Sequence, residues 1–273
     1  VISELGVAEN MPRNKIFKAG VVQFQVQKGE VEANWQKARR GLQRLATKGV
    51  RLAVLPEMWS SGFAYGQLRE MAEKSPVFLR YLGELASTYE MVIVGSVPEL
   101  ADGNIYNTAV VLDHRGRCAG SYRKIHLFTL HEEDRHFSGG DSPVVCDTQT
   151  GRLGVLICYD LRFPELARAM ALRGATVLVV PAQWPTSRIS HWRTLLRARA
   201  IENQLFMVAC NACGSDDRLQ YGGASAIISP WGEPLAEAGS EEVELTAELD
   251  FAEIEVYRQM IPCFADRVPG AYD

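Results

Sequence analysis

Between Leu153 and Glu165 the chain reads LGVLICYDLRFPE. An apolar run of Leu153, Val155, Leu156 and Ile157 ends at Cys158, and the polar turn Tyr159-Asp160-Leu161-Arg162 follows. Phe163-Pro164-Glu165 then opens a segment carrying Leu166, Ala167, Met170 and Ala171 at helical spacing. Proline near a helix start and an acidic residue in its first turn are start signals, so the stretch reads as strand, tight turn and helix. The thiol sits on the turn. A side chain there is raised to the rim of a sheet, and the nearby helix N-terminus favours thiolate over thiol. Strand–nucleophile–helix enzymes place a covalent nucleophile at such an elbow. Cysteine is also among the most buried residue types, so a packing cysteine is the competing reading.

Outward from this turn, short apolar runs alternate with helical segments. FKAGVVQFQV is a first strand, and Glu32 to Lys48, with Trp35, Ala38, Leu42 and Leu45 on one stripe, is an amphipathic helix closed by Gly49. RLAVLPE is a buried strand, Arg69 to Tyr89 a second helix, and MVIVGSVPEL a strand. NTAVVLDHRGRCAGSYRK reads as an antiparallel hairpin about Asp113-His114-Arg115-Gly116. A polar loop is expected from Ile125 to Pro143, then strands VVCDT and RLGVLIC. The second half echoes the first in element order: a helix from Pro164 to Arg173, strand ATVLVVPAQW, a helix from Arg188 to Asn203 and strand LFMVACN. GGASAIISPWGEPLAEA and EVELTAELD add two strands around a Pro/Gly turn. Helix pairs against two β layers imply a layered α/β sandwich. Residues 1–14 read as a loose leader and 15–273 as one domain, since no linker divides them.

The composition narrows the function. With 273 residues, 47% hydrophobic and 23% charged, the chain is long enough for a large core, and its net charge of −4 gives no basic field for nucleic acid or an acidic membrane. No apolar run reaches the roughly 18 residues of a membrane helix. Six scattered cysteines in a chain of this size suit a reducing, cytoplasmic setting. Cys210 and Cys213 have CxxC spacing, but without a second pair they read as a strand-end and a loop residue. No metal ligand set is expected; His126, His136 and His191 are spread out and read as packing residues.

Three further ionisable groups stand near strand ends or in the loop beyond: Glu57 after LAVLP, Lys124 after SYR, and Glu133 in TLHEEDRHF. Acidic residues ending apolar strands lie at the sheet rim, where ligands bind in open α/β folds. Taken singly, Glu57 reads as a cap or rim charge, Lys124 as a solvated lysine and Glu133 as a loop charge. Together with Cys158 they have a joint use. A thiol needs a base to remove its proton, a shielded carboxylate returns that proton to a leaving amine, and a fixed ammonium stabilises the oxyanion. The backbone N–H of Tyr159 is the natural second donor.

LAVLPEMW around Glu57, YRKIHLF around Lys124 and CYDLRFPE around Cys158, in that order, resemble the carbon–nitrogen hydrolases of the nitrilase superfamily. PAQWP and HWRTLLRARAIENQ agree, so the likeness spans nearly the whole chain after the leader. The resemblance implies a Glu–Lys–Cys catalytic set of Glu57, Lys124 and Cys158 on a four-layer αββα sandwich, with no metal or organic cofactor. It further implies dimers joined through helices. Amidase members carry a second glutamate after the lysine motif, a position that Glu133 matches better than Glu132.

The turn after the cysteine separates branches. Nitrilases usually carry Trp there and carbamoylases other residues with a basic pair, whereas Tyr159-Asp160-Leu161-Arg162-Phe163-Pro164-Glu165 resembles the Nit-type amidases, ω-amidases among them. That implies a small amide with a remote carboxylate, such as α-ketoglutaramate. A fixed cation is then required. Arg162 offers a bidentate fork and Arg188 is a second candidate, with Trp184 as a wall and Tyr159 beside the substrate; either arginine could equally serve a structural ion pair. An N-carbamoyl amide hydrolase or a nitrilase is the alternative enzyme, and a catalytically silent binding subunit the alternative of another class.

Overall fold

The computed structural model describes residues 16–271, so the expected leader lies outside them. The chain opens with β1 (Ile16–Gln23), α1 (Val31–Thr47), β2 (Val50–Val54), α2 (Leu68–Tyr89) and β3 (Val92–Ala101). Trp35, Ala38, Leu42 and Leu45 are the buried stripe of α1, at the three- and four-residue steps that bring side chains to one face. The hairpin of β4 (Asn104–Leu112) and β5 (Cys118–Arg123) closes over Asp113, whose Oδ1 accepts the N–H groups of Arg115 and Arg117 at 2.8 and 2.9 Å. Next come α3 (Glu133–His136), β6 (Val145–Thr148), β7 (Gly151–Val155), α4 (Pro164–Leu172), β8 (Val177–Ala182), α5 (Ile189–Asn203) and β9 (Phe206–Asn211). The last elements are β10 (Cys213–Ser215), β11 (Gln220–Gly222), β12 (Ala226–Ile228), β13 (Pro234–Glu237), β14 (Val243–Asp250) and α6 (Ala252–Met260).

Two six-stranded sheets result, ordered β14-β1-β2-β3-β4-β5 and β13-β12-β9-β8-β7-β6, with β10-β11 as a separate ribbon. The centre of each sheet is parallel, β1-β2-β3 in one and β7-β8-β9 in the other, with a helix on every crossover. The echo between the halves is therefore a repeated strand–helix–strand–helix–strand unit. Alternation splits each strand between two interfaces. Val21, Val54 and Val94 share one core with Val155 and Val179 of the second sheet, whereas Val22, Ala53 and Ile93 pack with Trp35, Leu42 and Leu82. On the outer face of the second sheet a Cβ at Gly154 would lie 3.1 Å from the Met170 Cβ of α4. The order is helix, sheet, sheet, helix: an α/β sandwich of four layers.

Several elements differ from the sequence reading. The loop after Ile125 contains a 3₁₀ turn (Thr129–His131) and α3. GGASAIISPWGEPLAEA forms the hairpin β12–β13 rather than one strand. Cys213 begins β10, and α6 was not legible because it buries only Ile254 and Tyr257.

Candidate active site

Glu57, Lys124 and Cys158 each follow the last residues of a strand, β2, β5 and β7, and the packing of the two sheets brings these strand ends to one cavity. Each turn leaves the sheet sharply. Cys158 itself has φ +45°, Met58 directly after Glu57 has φ +47°, and Glu132 directly before Glu133 has φ +60°. A non-glycine residue in this region carries about 1–3 kcal/mol of strain, held only where surroundings enforce it. Three such residues beside one cavity are a signature of a fixed site.

Lys124 is 1% exposed. Its Nζ donates to Oε1 of Glu57 at 2.9 Å and to Oε1 of Glu133 at 2.9 Å. Burial works against its charge, but the carboxylates of Glu133 and Glu57 outweigh it and hold the ammonium well above the ordinary lysine pKa. Glu57, fully buried, accepts two further hydrogen bonds: Asn107 Nδ2 donates to Oε1 at 2.8 Å and the Gln183 backbone N–H to Oε2 at 3.1 Å. Glu133 Oε2 accepts the Phe128 N–H at 3.1 Å; burial raises its carboxyl pKa, against the pull of Lys124. Glu132 points elsewhere, to Arg135 and Arg218, so Glu133 is the carboxylate that meets the lysine.

A second network fixes the cysteine turn relative to the lysine. Buried Asp160 accepts from the Ile157 N–H at 3.0 Å and the Tyr122 hydroxyl at 2.8 Å through Oδ2. Its Oδ1 accepts the His126 N–H at 3.0 Å and lies 2.8 Å from His126 Nδ1. The His126 ring stacks on Phe163, centroids 3.5 Å apart. One carboxylate thus ties the β7 turn to both sides of Lys124. The loop returning past that lysine is equally close: Gly140 donates to the Lys124 carbonyl at 2.8 Å, and a Cβ there would lie 2.2 Å from the Arg123 carbonyl oxygen.

The expected thiolate is not supported. Cys158 starts a single 3₁₀ turn (Cys158–Arg162), and α4 begins only at Pro164. Burial first, then the charge of Glu57, push the Cys158 thiol well above the ordinary value, and Lys124 offsets only part of this. Glu57, Lys124 and Glu133 together leave a negative excess beside the sulfur. This balance favours the thiol over the thiolate.

The cavity has a volume of about 400 Å³, and Glu57, Glu133 and Cys158 line its floor. Tyr159, Arg162, Trp184 and Arg188, the four residues expected around a substrate, also line it. The Arg162 guanidinium lies 4.7 Å from the Trp184 ring centroid and that of Arg188 5.5 Å from Phe128. Among the described residues neither arginine is paired with a carboxylate. Buried Trp184 is pinned by its indole N–H to the Arg188 carbonyl at 2.8 Å. His191 is exposed, 3.4 Å from Arg162, and His136 stacks on Tyr65, centroids 4.0 Å apart.

Sequence reasoning missed Phe63, Phe128, His131, Gln183 and Tyr221 in the lining and Asn107 behind Glu57. Three of them lay inside stretches already singled out: Phe128 in YRKIHLF, His131 in TLHEEDRHF and Gln183 in PAQWP. Among the described residues no cluster of three or more His, Cys, Asp or Glu could hold a metal ion. Cys210, fully buried, has its Sγ 3.2 Å from the Val22 carbonyl and is a packing residue. No helix of the described residues is long and apolar enough to cross a membrane.

Comparison with known proteins identifies the family. The carbon-nitrogen hydrolase family model matches residues 18–259. A 2-oxoglutaramate amidase of Bacillus subtilis is 38% identical over 247 residues, 90% of this chain and 95% of that protein. The omega-amidase NIT2 of Homo sapiens is 35% identical over 268 residues, 94% of this chain and 96% of its own length. Among solved structures, a mutant amidase from Nesterenkonia sp. AN1, carrying the acetamide moiety of fluoroacetamide on its active-site cysteine, has a TM-score of 0.84 at 28% identity. That likeness covers 96% of this chain and 97% of the other. The chain belongs to the carbon–nitrogen hydrolase family of the nitrilase superfamily and is an amide-hydrolysing enzyme.

Proposed function

We propose that the enzyme is an ω-amidase that hydrolyses the terminal amide of a small α-keto dicarboxylic acid such as α-ketoglutaramate, through a thioester on Cys158. The observation that carries the reading is one buried ammonium clasped by two carboxylates beneath a thiol, in a cavity whose outer wall holds two arginines with no carboxylate partner among the described residues. The named activities of the Bacillus subtilis and human relatives support the substrate.

In this mechanism Arg162 and Arg188 hold the remote carboxylate and bring the amide carbon over Cys158. Glu57 takes the thiol proton as sulfur bonds to that carbon, and the carbonyl π pair moves onto oxygen. Lys124 and the Tyr159 N–H stabilise the oxyanion; loss of one such donor costs about 2.7–4 kcal/mol. When the C–N bond breaks, its electron pair goes to nitrogen and Glu57 returns the proton, so ammonia leaves. Water then attacks the thioester, giving a proton to Glu57. The C–S bond breaks, the acid departs and the proton returns to sulfur. A proton that stays on sulfur until the carbonyl is in place fits the raised thiol pKa. Glu133 positions Lys124 and keeps it charged.

A dimer is part of the proposal, supported by exposed apolar Leu172, Ile201, Val256 and Met260 on α4, α5 and α6. The six cysteines, all free, support a reducing compartment such as the cytoplasm. The test is ammonia release from α-ketoglutaramate, a nitrile and an N-carbamoyl amino acid. We expect kcat/KM for the keto amide to exceed the other two by at least about 100-fold; for a nitrile without a carboxylate this is the cost of leaving a charged recognition group unpaired. Faster turnover of either competitor would overturn the substrate assignment.

A further inference from the structure

The catalytic cavity adjoins a second one across shared lining residues. Phe63, His131, Glu133 and Tyr221 also line a second cavity of about 670 Å³, which extends past Tyr65, Leu130 and Leu219.

The two spaces differ in charge. The charged groups on the second are engaged locally, Arg218 through a Glu132 that Arg135 shares and Asp216 through uncharged donors. Lys28 Nζ lies 3.0 Å from Asp217, Arg218 lies 3.8 Å from Glu132, and Asp216 accepts the Tyr221 hydroxyl at 2.8 Å together with the N–H groups of Arg218 and Leu219. Glu133 is occupied by Lys124. What this cavity offers is aromatic and aliphatic: Phe63 and Tyr65 meet edge to face, centroids 5.9 Å apart, with the Tyr65 hydroxyl bound to the His131 carbonyl at 2.8 Å. On the Cys158 side, by contrast, Arg162 and Arg188 stand ready for an anion.

An amide bound over Cys158 has two ends. Its acyl end carries the carboxylate and belongs with the arginines; its nitrogen end then faces the shared wall. Ammonia as leaving group needs no room there, yet a space with Phe63, Tyr65, Leu130 and Leu219 in its lining adjoins it.

We propose that the second cavity is an amine-side subsite, and that the enzyme also hydrolyses secondary amides whose nitrogen carries an uncharged aryl or aralkyl group, releasing the primary amine. The inference rests on the reading that Cys158 attacks an amide whose acid end lies at Arg162 and Arg188. The step balances as for ammonia. Sulfur bonds to the carbonyl carbon, the C–N pair goes to the amine nitrogen, the Cys158 proton reaches that nitrogen through Glu57, and water hydrolyses the thioester.

The experiment compares the primary, N-methyl and N-benzyl amides of one α-keto dicarboxylic acid on the intact enzyme, measuring ammonia or amine released. We expect kcat/KM for the N-benzyl amide within about 100-fold of the primary amide, since a pocket without space would exclude the ring. Leu219→Trp, which fills the cavity, should lower the N-benzyl value at least about 30-fold and change the primary amide less than about twofold; Leu130→Trp serves if the first variant does not fold. An N-benzyl value more than about 100-fold below the primary amide, or equal losses on both substrates in the filled variants, overturns the subsite while leaving the ω-amidase reading intact. Cleavage of the N-benzyl amide alone supports the subsite and overturns the ammonia-releasing assignment. Cleavage of neither overturns both.

Discussion

The floor and the outer wall of the catalytic cavity are held together in opposite ways. At the floor, Lys124, Glu57 and Glu133 are all buried, and each polar contact among them is 2.8–2.9 Å long. At the wall, Arg162 and Arg188 are half-buried over aromatic rings, with no carboxylate partner among the described residues. Buried ions are costly unless paired and hydrogen-bonded, so the floor can take only one arrangement. The arginines keep enough water contact to remain unpaired until an anion arrives. The difference separates chemistry from recognition. A change at the floor should strike kcat, and a change at the wall should strike KM.

Lys124→Met is the most severe way to break that division. It removes the oxyanion donor and leaves Glu57 and Glu133 facing each other in a buried space. We expect kcat for the keto amide to fall by about 10³-fold, with KM changed much less. Circular dichroism and thermal melting establish that the variant is folded when the rate is measured. A folded Lys124→Met enzyme within tenfold of wild-type kcat would remove the ammonium from the chemistry.

Arg162→Gln and Arg188→Gln probe the other side. A charge-assisted hydrogen bond is worth about 1.5–3 kcal/mol, so the arginine that holds the substrate acid should raise KM by about 10- to 150-fold on loss, with kcat nearly unchanged. Measuring both variants also decides which guanidinium contributes more. If each lowers kcat and leaves KM alone, the wall belongs to the chemistry and the division fails.

The smallest effect concerns the resting thiol. Burial and Glu57 raise the Cys158 pKa above its ordinary 9.0. The folded protein therefore binds this proton more tightly than the unfolded chain does. Stability from the site is complete below the ordinary value and is lost as the pH rises from it through the folded pKa. At neutral pH the thiolate absorbance of the wild type minus that of Cys158→Ala should show no step. A thiolate band at neutral pH would mean that Lys124 dominates the sulfur's environment.

The same contrast explains what the sequence made legible. Glu57 and Cys158 each follow an unbroken apolar strand and Lys124 ends a hairpin strand, so pattern alone put all three near a sheet rim. Their meeting is a consequence of two sheets packing face to face, and the ordered motifs pointed to it. The helix-dipole argument for a thiolate failed because only one 3₁₀ turn follows Cys158, while two carboxylates lie close by. Phe63 and His131 come from connections distant in the chain and Tyr221 from the short ribbon strand β11, and no periodicity marks residues of such segments that face a cavity. Asn107 sits within β4 and looks like any strand residue until its amide is seen on Glu57. The four-layer order was legible for a simpler reason. Strand and helix runs alternate with clear breaks, and the parallel centres follow from the helical crossovers.

The most direct measurement is a first-turnover acid quench of the enzyme with α-ketoglutaramate, followed by mass analysis of the Cys158 peptide and ammonia assay, alongside Cys158→Ala. We expect the wild-type peptide to gain the substrate's mass less ammonia, and the folded variant to gain nothing and to release ammonia no faster than the solution background. Ammonia released by Cys158→Ala at the wild-type rate would contradict a thioester at this cysteine.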